Sequence, residues 1–452
     1  MLETIKNSSS GMKTYYLMWL GQMVSVLGSG VTSFAIGIWL LGETDSVTSF
    51  TMVAVITGLP AIIFSPIIGA LVDRYDRKLI LIFADTLSAL VTLGLATCFY
   101  FDMLNVWIIF AGVAISAIAT AFQGPANIAA ITTLIERKDY GRVSGLMQMI
   151  GSISLIAGPL IAGALLSFVD LFTIFIIDLV TFLFALCTLL VVKIPKPEPH
   201  EGEEDDSSMW QEIKYAWNYL FKQKDLVYLL LFFCLVNFVV SMGTISIVPM
   251  VNFTAENWET GLVLSVGGIG SLAGASYLAW SGGPQRKING ILIGGLAMGL
   301  CLFIMGMSNI IWVVMIGLFL FQFCVPTING SSQVIWQTRI PPKMQGRVFA
   351  LRRMFAQFTI PLGDFLAGPL ADYVFEPMMR SENAVSNVFG PIIGMGPGRG
   401  IGLMLILLAA LPVLFAVLGF MNKHIRNIDE VNDDDDDTDS ETDSEQGKAQ
   451  TA

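Results

Sequence analysis

Three carboxylates, Asp85, Asp178 and Asp364, stand inside long apolar stretches of this chain. An acid in such a run is costly to bury, and its default reading is functional, above all as a group that takes up and releases a proton. Charge is otherwise concentrated in short segments, of which Gly69 to Lys78, "GALVDRYDRK", carries five charged side chains in ten residues. Other chemistry has little equipment. No GxxxxGK[ST] or HExxH pattern and no other nucleophile motif occurs, which argues against an enzyme and against ATP-driven transport by this chain. The two histidines, His200 and His424, fall in polar segments, and the five cysteines are scattered without a CxxC pair, so neither a metal site nor a disulfide framework is indicated.

The elements that must position those acids are membrane helices. Of 452 residues 54% are hydrophobic and only 13% charged, about half the charge of a soluble globular chain. Apolar runs long enough to span a bilayer recur along nearly the whole length, and the first lacks the small-residue cleavage site of a signal peptide. Polar punctuation places twelve spans near 15–41, 50–72, 79–101, 105–133, 143–168, 172–193, 225–251, 259–281, 289–308, 310–337, 348–374 and 399–421. With the N-terminus cytoplasmic, 23 of the 25 Lys and Arg fall on the cytoplasmic side and only Arg380 and Arg399 outside, an asymmetry that a miscounted helix would scramble.

Residues 1–14 then form a cytoplasmic N-terminus, 15–193 a first six-helix half and 225–422 a second. Between them 194–224 reads as a cytoplasmic linker, Pro- and acid-rich at first and amphipathic at its end through Trp210, Ile213, Trp217 and Leu220. Residues 423–452 form an acidic tail. Eleven of the 36 acids lie between Asp429 and Glu445, leaving 25 acids against 25 Lys and Arg, so the tail holds the whole net charge of −11. A like-charged block with Val431 as its one apolar residue is expected to be disordered.

The halves are copies. "GRVSGLMQMIGSISLIAGPLIAG" from Gly141 and "GRVFALRRMFAQFTIPLGDFLAG" from Gly346 align at an offset of 205, pairing Gly158 with Gly363, Ala162 with Ala367 and Gly163 with Gly368. Two related six-helix halves imply a pseudo-two-fold pair around a central path, with solute near the midplane and access alternating as the halves rock.

With that architecture in view, "GALVDRYDRK" resembles motif A of the major facilitator superfamily through Gly69, Leu71, Asp73, Arg74, Arg77 and Lys78, with Asp76 where the pattern has glycine. "GSISLIAGPLIAG" resembles the antiporter-type motif C through Gly151, Gly158, Pro159 and Gly163. The opening "WLGQMVSVLGSGVTSFAIGIWL", the "DRYDRK" form and the repeated "GRV" are similar to the drug:proton antiporter branch that includes macrolide efflux proteins and the enterobactin exporter. The resemblance implies an all-α membrane protein of the major facilitator fold, twelve helices in two pseudo-symmetric halves.

It also implies roles. Asp73, among Arg74, Arg77 and Lys78, would form a gating latch that stabilises one access state, and topology alone explains the bases but not the acid. The motif C glycines and Pro159 would bias the moving interface toward export, although close helix packing alone would also account for them. Asp364 lies about 16 residues, roughly 24 Å, into the eleventh span, and Asp178 about 7 residues, roughly 10 Å, into the sixth. Because the eleventh helix borders the path, Asp364 is the first candidate for proton coupling and Asp178 the second, although a salt-bridged or water-exposed structural acid would account for Asp364 as well, with Asp85 expected to extend the motif A network. Helices 1, 4, 7 and 10 would line the cavity with Gln22, Phe34, Gln123, Asn127, Asn237, Gln322, Asn329 and Trp336. Arg352 and Arg353, a basic pair near the start of their helix, are expected to anchor to lipid headgroups.

A cavity of apolar and aromatic surface with few polar anchors suits a bulky amphipathic solute. The expectation is proton-coupled efflux of drug-, macrolide- or siderophore-like compounds, with a lysophospholipid or other lipid-like solute as the rival substrate and a non-transporting sensor or scaffold as the rival class. No cofactor beyond a proton gradient is expected. The expected partners are the bilayer, protons and the solute, without nucleic acid, for a monomer in a bacterial cytoplasmic membrane with both termini inside.

Overall fold

The computed structural model describes residues 2–64, 67–68, 71–72, 75–135, 139–192, 217–218, 220–340, 342–426 and 428. At 2–11, 129, 132–133, 140–141, 144–145, 148, 342–347, 350 and 424 it describes the backbone alone. Every element among these residues is helical. The first half contains α1 (Leu2–Thr44), α2 (Val47–Ile63), α3 (Arg77–Tyr100), α4 (Val106–Leu134), α5 (Tyr140–Leu165) and α6 (Leu171–Val191). The second contains α7 (Lys224–Asn252), α8 (Asn257–Ser281), α9 (Lys287–Met307), α10 (Ile311–Arg339) and α11 (Pro342–Leu370). A π-helical turn, Ala371–Phe375, extends α11 into the short α12 (Glu376–Arg380). Then come α13 (Ala384–Ile393), the last long helix α14 (Arg399–Met421) and α15 (Lys423–Arg426).

The sequence punctuation works through helix caps. Asp76 takes the N-cap of α3, accepting from Lys78 N at 2.9 Å, and Asn105 caps α4 through Trp107 N and Ile108 N at 3.0 and 3.1 Å. The glycine position of motif A is thus filled by a residue that starts the next helix. Asp170 caps α6, and the Thr173 backbone N–H followed by the Thr173 hydroxyl holds its carboxylate below the usual range. At α8 a capping box links Glu256 and Glu259.

Twelve of the helices are long, and nine of the described ones are long and apolar enough on composition alone to cross a membrane. Packing follows a repeat. In the first half α1 packs on α5 and α6, α3 on α4 and α6, and α2 on α4. Six long helices later α7 packs on α11 and α14, α9 on α10 and α14, and α8 on α10, the same set of partners. The halves meet along two seams, α5 with α8 and α2 with α11, which also exchange under that repeat. Below, the near end is the side where α1 begins and α14 finishes; the far end is opposite.

Candidate functional site

Asp364 is buried on the far part of α11, three residues after Pro361. It sits where α11 presses on α7, because Gly363 has no side chain and an added Cβ would stand 2.8 Å from Phe238 O. Asn237 Nδ2 donates to Ala356 O at 2.9 Å, and one turn further along α7 the Ser241 hydroxyl reaches both Ile360 O, at 2.9 Å, and the Asp364 carboxylate. A hydroxyl has one hydrogen to donate. Ser241 therefore donates to the carboxylate or to the α11 backbone, and which it chooses depends on whether Asp364 already carries a proton.

The two acids of the first half have different surroundings. Asp85, 1% exposed, accepts from Gln22 Nε2 at 3.3 Å and Gln123 Nε2 at 2.6 Å, tying α3 to α1 and α4. Asp178, 2% exposed on α6, is reached by Ser29 Oγ at 3.5 Å and Thr181 Oγ1 at 3.4 Å. It opens onto a pocket of about 310 Å³ inside this half.

Of the motif A residues, Gly69, Asp73 and Arg74 lie outside the described residues. Arg77 begins α3, and Lys78 Nζ donates to Leu190 O and Val192 O at 3.0 and 2.6 Å, closing the C-terminal end of α6. The linker lies largely outside the described residues too; of its expected amphipathic face only Trp217 and Leu220 are described, with Trp217 stacked on Phe221 and tilted against Phe355.

The motif C glycines part company. Gly151 faces open space, whereas an added Cβ at Gly158 would lie 3.3 Å from the Gly30 carbonyl carbon of α1. At Gly163 it would lie 2.6 Å from Asn257 O, across the seam to α8. Pro159, inside α5, faces Gly261 of α8 through its carbonyl.

The residues expected to line a cavity are divided. Gln22 and Gln123 are held by Asp85 and Asn237 by α11, while Phe34 belongs to the core. Asn127 shares a small pocket of about 40 Å³ with Gln22 and Trp19, Gln322 is half-buried and Asn329 is exposed. Trp336 is fully buried, with the Arg352 guanidinium 5.0 Å above its ring and 5.7 Å from that of Phe233. Arg352 also donates to Gln333 Oε1 at 2.9 Å and Ser332 Oγ at 3.1 Å, so it turns into the second half and not out to lipid headgroups. Two aromatic faces and two neutral acceptors offset its desolvation better than an exposed stem would.

Sequence reasoning missed the far end. Asp372, on the π-helical turn, crosses to the first half and accepts from Val47 N (2.9 Å), Thr48 N (2.8 Å), Ser46 Oγ (2.8 Å) and Thr48 Oγ1 (2.7 Å) at the start of α2. A carboxylate at a helix N-terminus is favoured by the unpaired N–H groups and by the dipole. Nearby, Glu376 accepts from Gly398 N, Ile401 N and Arg380 Nε at 3.0 to 3.1 Å and so caps α14. The available signal was the acid just beyond the repeated glycine Gly368, where the first half has Ser167 after Gly163.

Two six-helix halves meeting along seams that exchange under the repeat are the architecture of a membrane transporter. The chain belongs to the Major Facilitator Superfamily, whose family profile matches residues 18–363. It is 31% identical over 371 residues to macrolide efflux protein A of Streptococcus pyogenes, covering 80% of this chain and 90% of that protein. To the multidrug efflux pump Tap of Mycolicibacterium fortuitum it is 26% identical over 368 residues, 76% of this chain and 86% of that one. In fold it is similar to the nucleoside transporter NupG, with TM-score 0.67 and 14% identity over 93% of this chain and 100% of that one. A bacterial homologue of the lysosomal transporter Spinster, inward-facing and unoccupied, gives TM-score 0.66 and 14% identity over 92% and 96%. The chain is thus a multi-pass membrane transporter for small solutes.

Proposed function

We propose that this transporter exports bulky amphipathic compounds of macrolide-like or related chemistry from a bacterial cell, driven by protons as its halves alternate in access. The reading is carried by the 31% identity to a macrolide efflux protein sustained over nine-tenths of that protein's length. The positive-inside bias supports a cytoplasmic near end. With that orientation the contacts described above between the halves, along α2–α11 and α5–α8, belong to a state closed to the outside.

Asp364 is the proposed coupling acid. When ionised it takes the Ser241 hydrogen; once protonated it can donate to the Ser241 oxygen, which frees that hydroxyl to donate to Ile360 O. Proton uptake thereby re-pairs the α7–α11 contact at the helix that also forms a seam between the halves. A proton bound here gains differential influence on the two access states, as coupling requires.

The test is a resistance and accumulation screen in a pump-deficient bacterial host, followed by flux in proteoliposomes. Wild-type chain should lower accumulation of macrolides or other amphipathic compounds and move them against a gradient when a pH difference is imposed without ATP. Asp364→Asn should abolish that uphill movement and spare counterflow exchange. Unchanged coupling in the variant would remove Asp364 from this role, and no flux across a broad solute panel would remove the export reading itself.

A further inference from the structure

The first half contains a pocket, apolar over most of its surface but studded with hydroxyls, that the export reading does not use. Its volume is about 310 Å³, and hydroxyls from four helices face it, among them Ser29 and Thr32 of α1, Ser88 and Thr92 of α3 and Thr120 of α4, with Asp178 of α6 as its only charged group. One of these hydroxyls is buried and unpartnered: Ser88 Oγ, in a residue 3% exposed, has no hydrogen bond, while Thr32, 7% exposed, turns its hydroxyl to the Asp178 carboxylate. Thr57 and Thr120 spend their hydrogens on Val53 O and Ser116 O and Ser29 spends its own on Asp178, which leaves oxygen lone pairs toward the space. Gly28 backs the carboxylate, since an added Cβ would stand 3.0 Å from Asp178 Oδ1.

The geometry points to a binding site for a monovalent alkali cation, with Asp178 as the counter-charge and the hydroxyls and retained water as oxygen ligands. Hard cations take oxygen donors, and a buried polar group left without a partner is destabilising, so an unpaired hydroxyl beside a buried acid calls for a ligand that uses it. Charge selects the valence. One carboxylate among neutral hydroxyls neutralises one positive charge, whereas a divalent ion would leave charge uncompensated in a low-dielectric surround. No group of three His, Cys, Asp or Glu side chains that could hold a metal occurs among the described residues. Size indicates hydration, since water occupies about 30 Å³ in the liquid and the pocket is several times larger than one bare ion with its first ligands. A lone proton would satisfy Asp178 but would leave the Ser88 hydroxyl as it is.

Ion binding is testable apart from transport. Full-length chain in detergent is melted in sodium, potassium, lithium or choline chloride at constant ionic strength and pH, because a ligand of the folded state raises the midpoint in a saturable way. At least one alkali ion should raise the wild-type midpoint over choline. Asp178→Asn should lose the response and Asp364→Asn should keep it. Thr32→Val and Ser88→Ala, which retain the carboxylate and also decide the matter if Asp178→Asn fails to fold, should raise the half-saturating concentration about tenfold. Equal wild-type midpoints in choline and in all three alkali chlorides, or an unaltered ion response in the Asp178 or both hydroxyl variants, would overturn the site. A response to pH alone would do the same. Because the readout is binding, a chain that exports without an ion response loses this inference only, and one that binds the ion without exporting loses only the export reading.

Discussion

The two seams between the halves begin from the same residue and finish differently. Gly163 of α5 seats the start of α8 at Asn257 and Trp258, and Gly368 of α11, 205 residues later, seats the start of α2 at Thr48 and Thr51. At both, the absent side chain lets backbone meet backbone across the pseudo-two-fold. Beyond the glycine the symmetry stops. In the α2–α11 seam Asp372 accepts four hydrogen bonds from the other half, whereas its counterpart in the α5–α8 seam, Ser167, turns back onto Gly163 O of its own helix at 3.3 Å. The start of α8 is instead capped by its own Glu256 and Glu259. Close packing is therefore common to both seams, while a charged crossing belongs to one, so disruption of packing should affect the seams alike and removal of charge should affect only α2–α11.

The largest effect is expected from the glycines. Gly163→Leu and Gly368→Leu each force a side chain into backbone of the opposing half, and overpacking costs typically about 1–3 kcal/mol. Spin labels placed at the far ends of the two halves should report longer distances in both variants, by similar amounts. A response from only one of them would break the proposed equivalence of the seams. Asp372→Ala comes next. It removes a charge-assisted cap worth about 1–2 kcal/mol, enough to change a two-state population roughly tenfold, and should open α2–α11 in the same distance measurement. Ser167→Ala should leave the distances unchanged. Should the two substitutions act equally, the asymmetry would be packing after all.

What the sequence made legible was whatever is local. The spans are bounded by polar punctuation because caps such as Asp76, Asn105 and Asp170 act within three residues of themselves, and the twelve long helices fall within a few residues of the expected runs apart from the earlier starts of α1 and α11 and the end of α2 at Ile63. The repeat located Gly163 and Gly368 because both halves preserve them at one offset. Partnerships were not legible. Asp85 finds Gln22 and Gln123 at separations of 63 and 38 residues, and Asp372 finds α2 across more than 320, distances in the chain that no local pattern reports. Arg352 was misjudged for a related reason. Its position near a helix start suggests headgroups, but direction around the helix turned it to Trp336. The short α12 and α13 sit in what reads as a loop, stabilised by Glu376 contacts that span more than twenty residues.

The smallest expected effect probes the depth to which the packed seam extends. Ser265 of α8 donates to Ile156 O of α5 at 2.6 Å, and its oxygen also lies 2.9 Å from Gly261 O one turn earlier in its own helix. With one hydrogen to share, the hydroxyl bridges the halves only part of the time, and when it does not it is satisfied within α8. Ser265→Ala leaves Ile156 O paired within α5 and removes a net contribution of about 0.5–1.5 kcal/mol at most. The far-end distance of α5–α8 should widen less than in Gly163→Leu, while that of α2–α11 stays put, because the substitution leaves Asp372 and its donors intact. A widening as large as that of the glycine variant would mean that this seam, too, is held by a polar crossing, with backbone proximity serving to bring Ser265 within reach of Ile156.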